Sequence, residues 1–338
     1  MPKRAVQRFD TAGGRTVYRL PLRVFDGFSG NAYLITGGAA PILVDSGSGR
    51  SASNEDLVRG VEQVAERFGE AVRFRDIGAI VLTHGHIDHF GGLPFLREQT
   101  DAPVSIHLLD RRVVDGYRER VITAARRVDL FFESAGVEAE RRGRYLDLYH
   151  RTKSFFAGGR VDAVFEAGPI LGGELDAIHV PGHCPGQVCL RVDDILLTAD
   201  HVLPLISPHL SPESITLSTG LAHYLESLDR LRSQLDGVRL GLGGHFGPIE
   251  DVASRVDEIV DHHRERLDHV LDFCAEPRSI VDISRELFGR QQSYHVLLAV
   301  LEAGSHVEYL DQRGELVITN VEQWESAEHP VILYRRAG

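Results

Sequence analysis

The ten residues from Thr83 to Gly92 read THGHIDHFGG and follow directly on the apolar run IGAIVL. A continuous apolar run predicts a strand buried on both faces, so the polar decapeptide begins where a rigid, dry element ends. Three imidazoles and a carboxylate (His84, His86, His89 and Asp88) fall within six positions of one another. Borderline divalent cations take this donor set, imidazole nitrogen and carboxylate oxygen, with three or four ligands from the protein. In extended chain residues 84 and 86 point to one side. Where the chain turns into a helix, Asp88 and His89 can address a second centre. Gly91 and Gly92 let the backbone pass close to that cluster.

Four side chains cannot complete two metal sites, and further candidates stand at other strand ends. VPGHCPGQ places His183 in a Gly/Pro loop after the strand-like ELDAIHV. LLTADHV places Asp200 at the end of another apolar run, and LGLGGHFGP places His245 in a third loop. In open α/β sheets ligands gather at the carboxyl ends of strands. The surrounding pattern agrees. TVYRLPLRVF, NAYLITG, APILVDSGSG, APVSIHLLD, QVCLRV and DILLTAD read as strands, and NEDLVRGVEQVAERFG as a helix with Ser53 or Asn54 as its N-cap and Gly69 as its stop. GGLPFLREQ reads as a further helix. Strand, helix, strand in that order predicts a layered α/β core.

The motif H-x-H-x-D-H at 84–89, a histidine in a PGH loop, an aspartate in a T-A-D segment and a histidine in a GGH loop together resemble the metallo-β-lactamase superfamily. LVDSGSG at 43–49 is similar to that superfamily's early strand-turn, with Asp45 as the matching acidic residue. The resemblance spans roughly residues 15–250 and implies an αββα sandwich, two sheets face to face with helices outside. Carried over position by position, it implies His84, His86 and His183 on one metal, Asp88, His89 and His245 on the other, and Asp200 bridging. Asp45 is then expected to orient a ligand imidazole. The resemblance implies two divalent ions, zinc first, with iron and manganese also suited to these ligands. Two such ions would share a hydroxide that attacks a carbonyl carbon or a phosphorus; Asp88 is the expected catalytic proton acceptor, with metal-bound water an equal candidate. Asp200 points toward glyoxalase-II-like thioesterases, lactonases and ribonuclease-type members, and away from lactam hydrolysis. The leading expectation is a hydrolase of a thioester, ester or lactone, with a small-molecule substrate such as an acyl thioester. The alternative is a phosphodiesterase or endoribonuclease on the same scaffold, and a non-catalytic regulator is disfavoured by the complete ligand set.

Two regions depart from the sheet pattern. Residues of about 110–160 are Arg-rich and helical in period, and are expected to form a helical insertion. From about 251 a long amphipathic helix, two shorter helices (SIVDISRELFG and YHVLLAVLEAG), a hairpin over HVEYLDQRGELVIT turning at Gly314, and a last strand PVILYRR resemble a winged-helix-like module. The expected division is therefore a catalytic domain over 1–250 and a C-terminal module over 251–338. Acidic residues outnumber basic ones in that module. It is therefore expected to pack over the site edge or form a homodimer interface, and not to meet phosphate.

Composition narrows the partners. The formal charge of −12 argues against broad nucleic-acid or anionic-membrane binding. MPKRAVQRFDTAGG has no apolar h-region, so no signal peptide is expected, and no apolar run is long enough to span a membrane. Cys184, Cys189 and Cys274 show no CxxC spacing, which fits a reducing cytoplasm. Cys184 is expected to be a buried thiol pointing away from His183. His179 is expected on a core or sheet face and His201 pointing away from Asp200. His209 and His223 are expected in solvated positions. Tyr224 is expected to pack by its helical spacing with Leu221, Leu225 and Leu228. His262, Arg266 and His269 are expected on a solvated helix face, as are Arg111, Arg112, Arg118, Arg120, Arg126 and Arg127.

Overall fold

The computed structural model describes residues 5–326 and 331–338. Met1–Arg4, at the start read for a leader, and Pro330 of the last expected strand lie outside the described residues. The chain divides into two compact units. One comprises residues up to Tyr117 with Phe156–Pro208 and Ser227–Val256; the other comprises Arg118–Phe155, His209–Glu226 and Asp257–Gly338.

In the first unit, β1 (Gln7–Asp10), β2 (Thr16–Phe25), β3 (Phe28–Thr36), β4 (Ile42–Val44), β5 (Ala79–Leu82), β6 (Val104–His107) and β7 (Ala163–Phe165) form a seven-stranded sheet in sequence order. Strands β1–β4 pair antiparallel and β4–β7 parallel. A second sheet runs in the order β13 (Pro248–Ile249), β12 (Leu240–Gly243), β11 (Ile195–Ala199), β10 (Val188–Val192), β9 (Leu175–His179), β8 (Gly168–Ile170). Period-two patterning presses the two together. Val17, Tyr33, Ile35, Ile42, Val44 and Val81 of the first sheet share one buried cluster with Val188, Leu190, Val192, Ile195, Leu197 and Leu242 of the second. Each such aliphatic side chain contributes about 1.5–3 kcal/mol on burial. The alternate residues face outward: Leu20 lies under Gly60 of the helix Ser51–Phe68, where a Cβ would come 3.3 Å from the leucine. The architecture is the expected α/β sandwich of two facing sheets.

Helix Ser51–Phe68 ends as expected on Gly69 in the left-handed region (φ 75°). Its start differs from expectation. Arg50 holds the N-cap position, and Ser53 is inside the helix with its hydroxyl turned back to accept from Ser48 N at 3.1 Å.

The second unit is largely helical. It holds Ala139–Ser154, Ile280–Phe288 and Tyr294–Gln312, most of the helix Tyr117–Ser134, and a two-stranded ribbon pairing Leu316–Ile318 with Tyr334–Arg336. The hairpin expected over His306–Thr319 does not form. Helix Tyr294–Gln312 runs through its first half because Val300, Ala303, Val307 and Leu310 continue a buried face at helical spacing. Leu316–Ile318 pairs instead with the chain end. Arg111, Arg112, Arg118, Arg126 and Arg127 are exposed, as expected, and Tyr224 is fully buried, its ring 5.6 Å from that of His263. Among the described residues no helix is long and apolar enough to cross a membrane.

Candidate metal centre

All seven residues singled out from the sequence come together at one edge of the first unit, each carried by the end of a strand or the loop after it. β5 ends at Leu82 and delivers Thr83 and His84; the short helix Ile87–Phe90 then presents Asp88 and His89. The loop after β9 carries His183, the end of β11 carries Asp200, and the loop after β12 carries His245. The Gly91–Gly92 pair is required by packing. A Cβ on Gly92 would collide with the Ser46 carbonyl and one on Gly91 with that of Ser48, because the turn after β4 crosses the histidine loop at this point. Ser46 N donates to the His89 carbonyl at 2.7 Å across the same crossing.

Three overlapping groups have ligand atoms all within 4.8 Å of one another. They are His84, His86, His183 and Cys184; His84, His89 and Asp200; and Asp88, His89 and His245. Asp200 stands between them. Its Oδ2 lies 3.3 Å from His245 Nε2, 3.7 Å from His183 Nε2 and 4.0 Å from His84 Nε2, while its Oδ1 lies 3.5 Å from His89 Nε2. Asp88 Oδ2 lies 3.4 Å from His245 Nε2. A register shift between Leu197 and Ala199, with Ala199 at φ 47°, turns the chain just before Asp200. Such bulges re-aim the next side chain. Gly244 leaves the cluster its room: a Cβ there would collide with Asp200 Oδ1 and lie 2.7 Å from His89 Cε1.

The other ring nitrogens are fixed from behind. His245 Nδ1 donates to the Ser29 carbonyl at 2.8 Å. His89 Nδ1 donates to Asp45 Oδ2 at 2.7 Å. The same carboxylate accepts from Thr83 N at 2.8 Å and Thr83 Oγ1 at 2.9 Å, and Thr83 Oγ1 in turn lies 3.0 Å from His84 Nδ1. A hydroxyl that donates to Asp45 can only accept from His84, so one buried carboxylate places N–H on the Nδ1 of two imidazoles and aims both Nε2 atoms into the cluster. Asp45 thus orients the imidazole of His89, a candidate ligand.

Asp110 was missed by the sequence reading. It is fully buried, accepts from Gly85 N at 2.7 Å and from Gly186 N at 2.9 Å, and so ties the histidine loop to the loop of His183. No local sequence signal marks it, since both donors are backbone groups far away in the chain. Cys184 is buried as expected, but it faces His86, with Sγ 3.4 Å from Nε2. The expected outward turn presumed strand alternation, and this segment is a loop. His179 is half-buried and stacks on His107 at 4.1 Å. His209 and His223 make their hydrogen bonds to Leu298 O and Glu213 within the second unit.

Electrostatics single out the same side chains. Burial alone would lower His245 and His89, yet Asp200 with Asp88 holds His245 up at about 10, and Asp200 with Asp45 holds His89 well above its usual range. Burial would raise Asp88 and Asp200; the facing imidazoles outweigh it and hold both carboxyls well below normal. His84 goes the other way: burial, then His89, keep it neutral. A cation fits this set. The Nε2 atom of His84 is buried with no hydrogen-bond partner among the described residues, and His89 Nε2 and Asp200 Oδ1 face each other at 3.5 Å. Orphaned buried polar atoms of this kind cost about 1–3 kcal/mol each unless something else binds them.

The chain is similar to known proteins. Over 245 residues the chain is 27 % identical to an atrochrysone carboxyl ACP thioesterase of Aspergillus fumigatus, covering 71 % of this chain and 58 % of the relative. It is 32 % identical over 180 residues to the probable metallo-hydrolase YflN of Bacillus subtilis, covering 51 % of this chain and 61 % of the relative. It thus spans roughly three-fifths of the length of these curated relatives. Among solved structures, a metallo-beta-lactamase family protein from Thermus thermophilus superposes with a TM-score of 0.76 at 26 % identity, covering 95 % of this chain and 98 % of that one. A beta-lactamase domain protein from Burkholderia ambifaria superposes at 0.77 and 24 %, covering 100 % of this chain and 96 % of that one. The family model of the metallo-beta-lactamase superfamily matches residues 25–267, well over half of the chain, and with the sandwich and the strand-end histidines in view the chain belongs to that superfamily.

Proposed function

We propose that this chain is a metal-dependent hydrolase acting on a carbonyl substrate: a thioester, an ester or a lactone. The observation that carries the reading is the convergence of seven side chains able to hold a metal at one edge of the first unit, with His84 Nε2 buried and without a hydrogen-bond partner among the described residues. His84, His86 and His183 would hold one divalent ion and Asp88, His89 and His245 the other, with Asp200 between the two. Ions so held supply a water activated near neutral pH and a positive charge to oppose the oxygen that gains electrons.

The chain's own groups do the rest. Asp88 and His86 are half-buried while the other five are buried, so substrate meets the cluster on their side. Asp88 Oδ2 would take the proton released as water attacks. Asp45, Thr83 and the Ser29 carbonyl keep the imidazole donors aimed throughout. Beside His245 lie half-buried aromatic rings. Phe28 is 4.5 Å from the imidazole, with Phe246 6.4 Å from Phe28. These rings suit the apolar part of an acyl group. The thioesterase name of one relative supports the same class.

A panel of acyl thioester, lactone, phosphodiester, RNA and lactam substrates, run with and without a chelator, tests the reading. Chelator-sensitive thioester or lactone hydrolysis faster than all others is expected. RNA or phosphodiester cleavage that outpaces it overturns the substrate class, and hydrolysis indifferent to thorough metal removal overturns the metal centre.

A further inference from the structure

The residue after His183 has no part in the ligand set above, yet its sulfur stands inside the cluster. Cys184 Sγ lies 3.4 Å from His86 Nε2 and belongs, with His84, His86 and His183, to one group of mutually close ligand atoms. The loop VPGHCPGQ makes this geometry. Gly182 sits at φ 133°, Pro181 and Pro185 flank the turn, and consecutive side chains are not forced to opposite sides as they are along a strand. Cys189, five residues on, illustrates the contrast: it lies in β10 with its sulfur 3.5 Å from the Thr198 carbonyl, away from the cluster. Zinc bonds of about 2.0 Å to imidazole and 2.3 Å to thiolate at a tetrahedral angle set the two donor atoms about 3.5 Å apart. The observed separation matches.

We propose that Cys184 is a fourth protein ligand, a thiolate, for the ion held by His84, His86 and His183. The inference rests on the metal centre proposed above. On binding, the S–H bond breaks, the S–metal bond forms and the proton passes to the buffer. The consequence is a difference between the two sites. Three imidazoles and a thiolate form a soft donor set that selects zinc over manganese or iron; Asp88, His89, His245 and Asp200 form a nitrogen–oxygen set that tolerates harder ions.

Cobalt(II) reads this directly, because a thiolate ligand adds an intense near-ultraviolet charge-transfer band that nitrogen and oxygen ligands do not. The full chain, stripped and reloaded with cobalt(II), is expected to show the band, and Cys274→Ser to keep it. Cys184→Ser and Cys184→Ala are expected to lose it while their far-ultraviolet circular dichroism stays that of the parent. Zinc affinity should fall about tenfold or more in both variants, and the preference for zinc over manganese should shrink with it. Cobalt bound without the band in the parent, or a band unchanged in the Cys184 variants, overturns the proposal and leaves the sulfur as a hydrogen-bond partner of His86. A parent chain that binds no cobalt or zinc overturns the metal centre itself, and the thiolate with it.

Discussion

Asp45→Asn is the sharpest perturbation of the cluster, because it changes no shape. The residue is 2 % exposed and sits at φ 63°, a conformation asparagine tolerates as readily as aspartate. What changes is the count of acceptors. The carboxylate takes three hydrogen bonds: Oδ1 from Thr83 N, and Oδ2 from Thr83 Oγ1 and His89 Nδ1. Asparagine offers one acceptor oxygen. If it stays on the Thr83 amide, the new NH2 faces His89 Nδ1, and the imidazole must move its proton to Nε2, the atom aimed at the cluster. The NH2 also makes Thr83 Oγ1 an acceptor, so the hydroxyl turns to donate to His84 Nδ1 and sends that proton to Nε2 as well. The loss of a hydrogen bond to a charged group is worth about 1.5–3 kcal/mol, which is about a 10- to 100-fold loss of metal affinity, the range found when such orienting groups are removed. Zinc titration in competition with a chromophoric chelator measures it, with thermal melts of the stripped proteins to separate affinity from stability. Both ions should bind about 10- to 100-fold more weakly. Unchanged affinity refutes the tautomer assignment. Loss confined to the ion at His89 refutes the part of the chain that runs through Thr83 to His84.

Asp110→Ala leaves the amides of Gly85 and Gly186 buried without their shared acceptor and should cost about 3 kcal/mol or more in urea unfolding; a loss under about 1 kcal/mol would remove Asp110 from its clamping role. Asp88→Asn should keep most of the bound metal and lose turnover, and a variant with parental kcat would exclude Asp88 as proton acceptor. Gly244→Ala drives a methyl into Asp200 Oδ1 and His89 and should lower metal content in the purified protein, which elemental analysis reads directly. In the second unit burial holds His306 down to about 4, with His263 3.1 Å away and Glu302 in the same cluster. A histidine depressed below its unfolded value of about 6.5 contributes stability that is full above that value and lost as pH falls toward the folded one. The stability gap between the parent and His306→Asn should therefore narrow on acidification from neutrality, by about 2 kcal/mol near pH 5; a gap that widens would reverse the sign.

What was legible in the chain follows from which constraints are local. A side chain that can hold zinc is a histidine, a cysteine, an aspartate or a glutamate wherever it stands, and the strand before it must be apolar to be buried. The seven candidate residues and the strands carrying them could therefore be singled out in order, and the two-layer sandwich followed from the family resemblance that they carry. Contacts whose partners are backbone atoms leave no such mark. Asp110 looks like any acidic residue at a strand exit, because its donors, Gly85 N and Gly186 N, could belong to any residue type. Ser53 carried a good N-cap signature, but its hydroxyl is drawn to Ser48 N by the turn that also packs on Gly91 and Gly92, so the helix begins at Ser51 with no side-chain cap. His262 and His269 are exposed on their helix face as expected, while His263, Leu267 and Val270 form the buried face. One misreading came from choosing the wrong period. The Gly314 turn outweighed the spacing of Val300, Ala303, Val307 and Leu310, which was already helical.

Cys184 is the case in which local reasoning and geometry diverge most. Neighbours along a strand point apart, and that rule turned the sulfur away from His183. Between Pro181 and Pro185, with Gly182 at φ 133°, there is no strand for the rule to act on. The seven candidate residues occupy positions where side-chain direction is set by crossings between loops: Gly92 against Ser46, Gly186 against Asp110, Gly244 against Asp200. Each is a contact that only a glycine permits, so the glycines around this cluster hold as much of the site's specification as the histidines. They determine how closely the loops approach, and that approach decides whether a neighbouring sulfur lies inside or outside the reach of an ion.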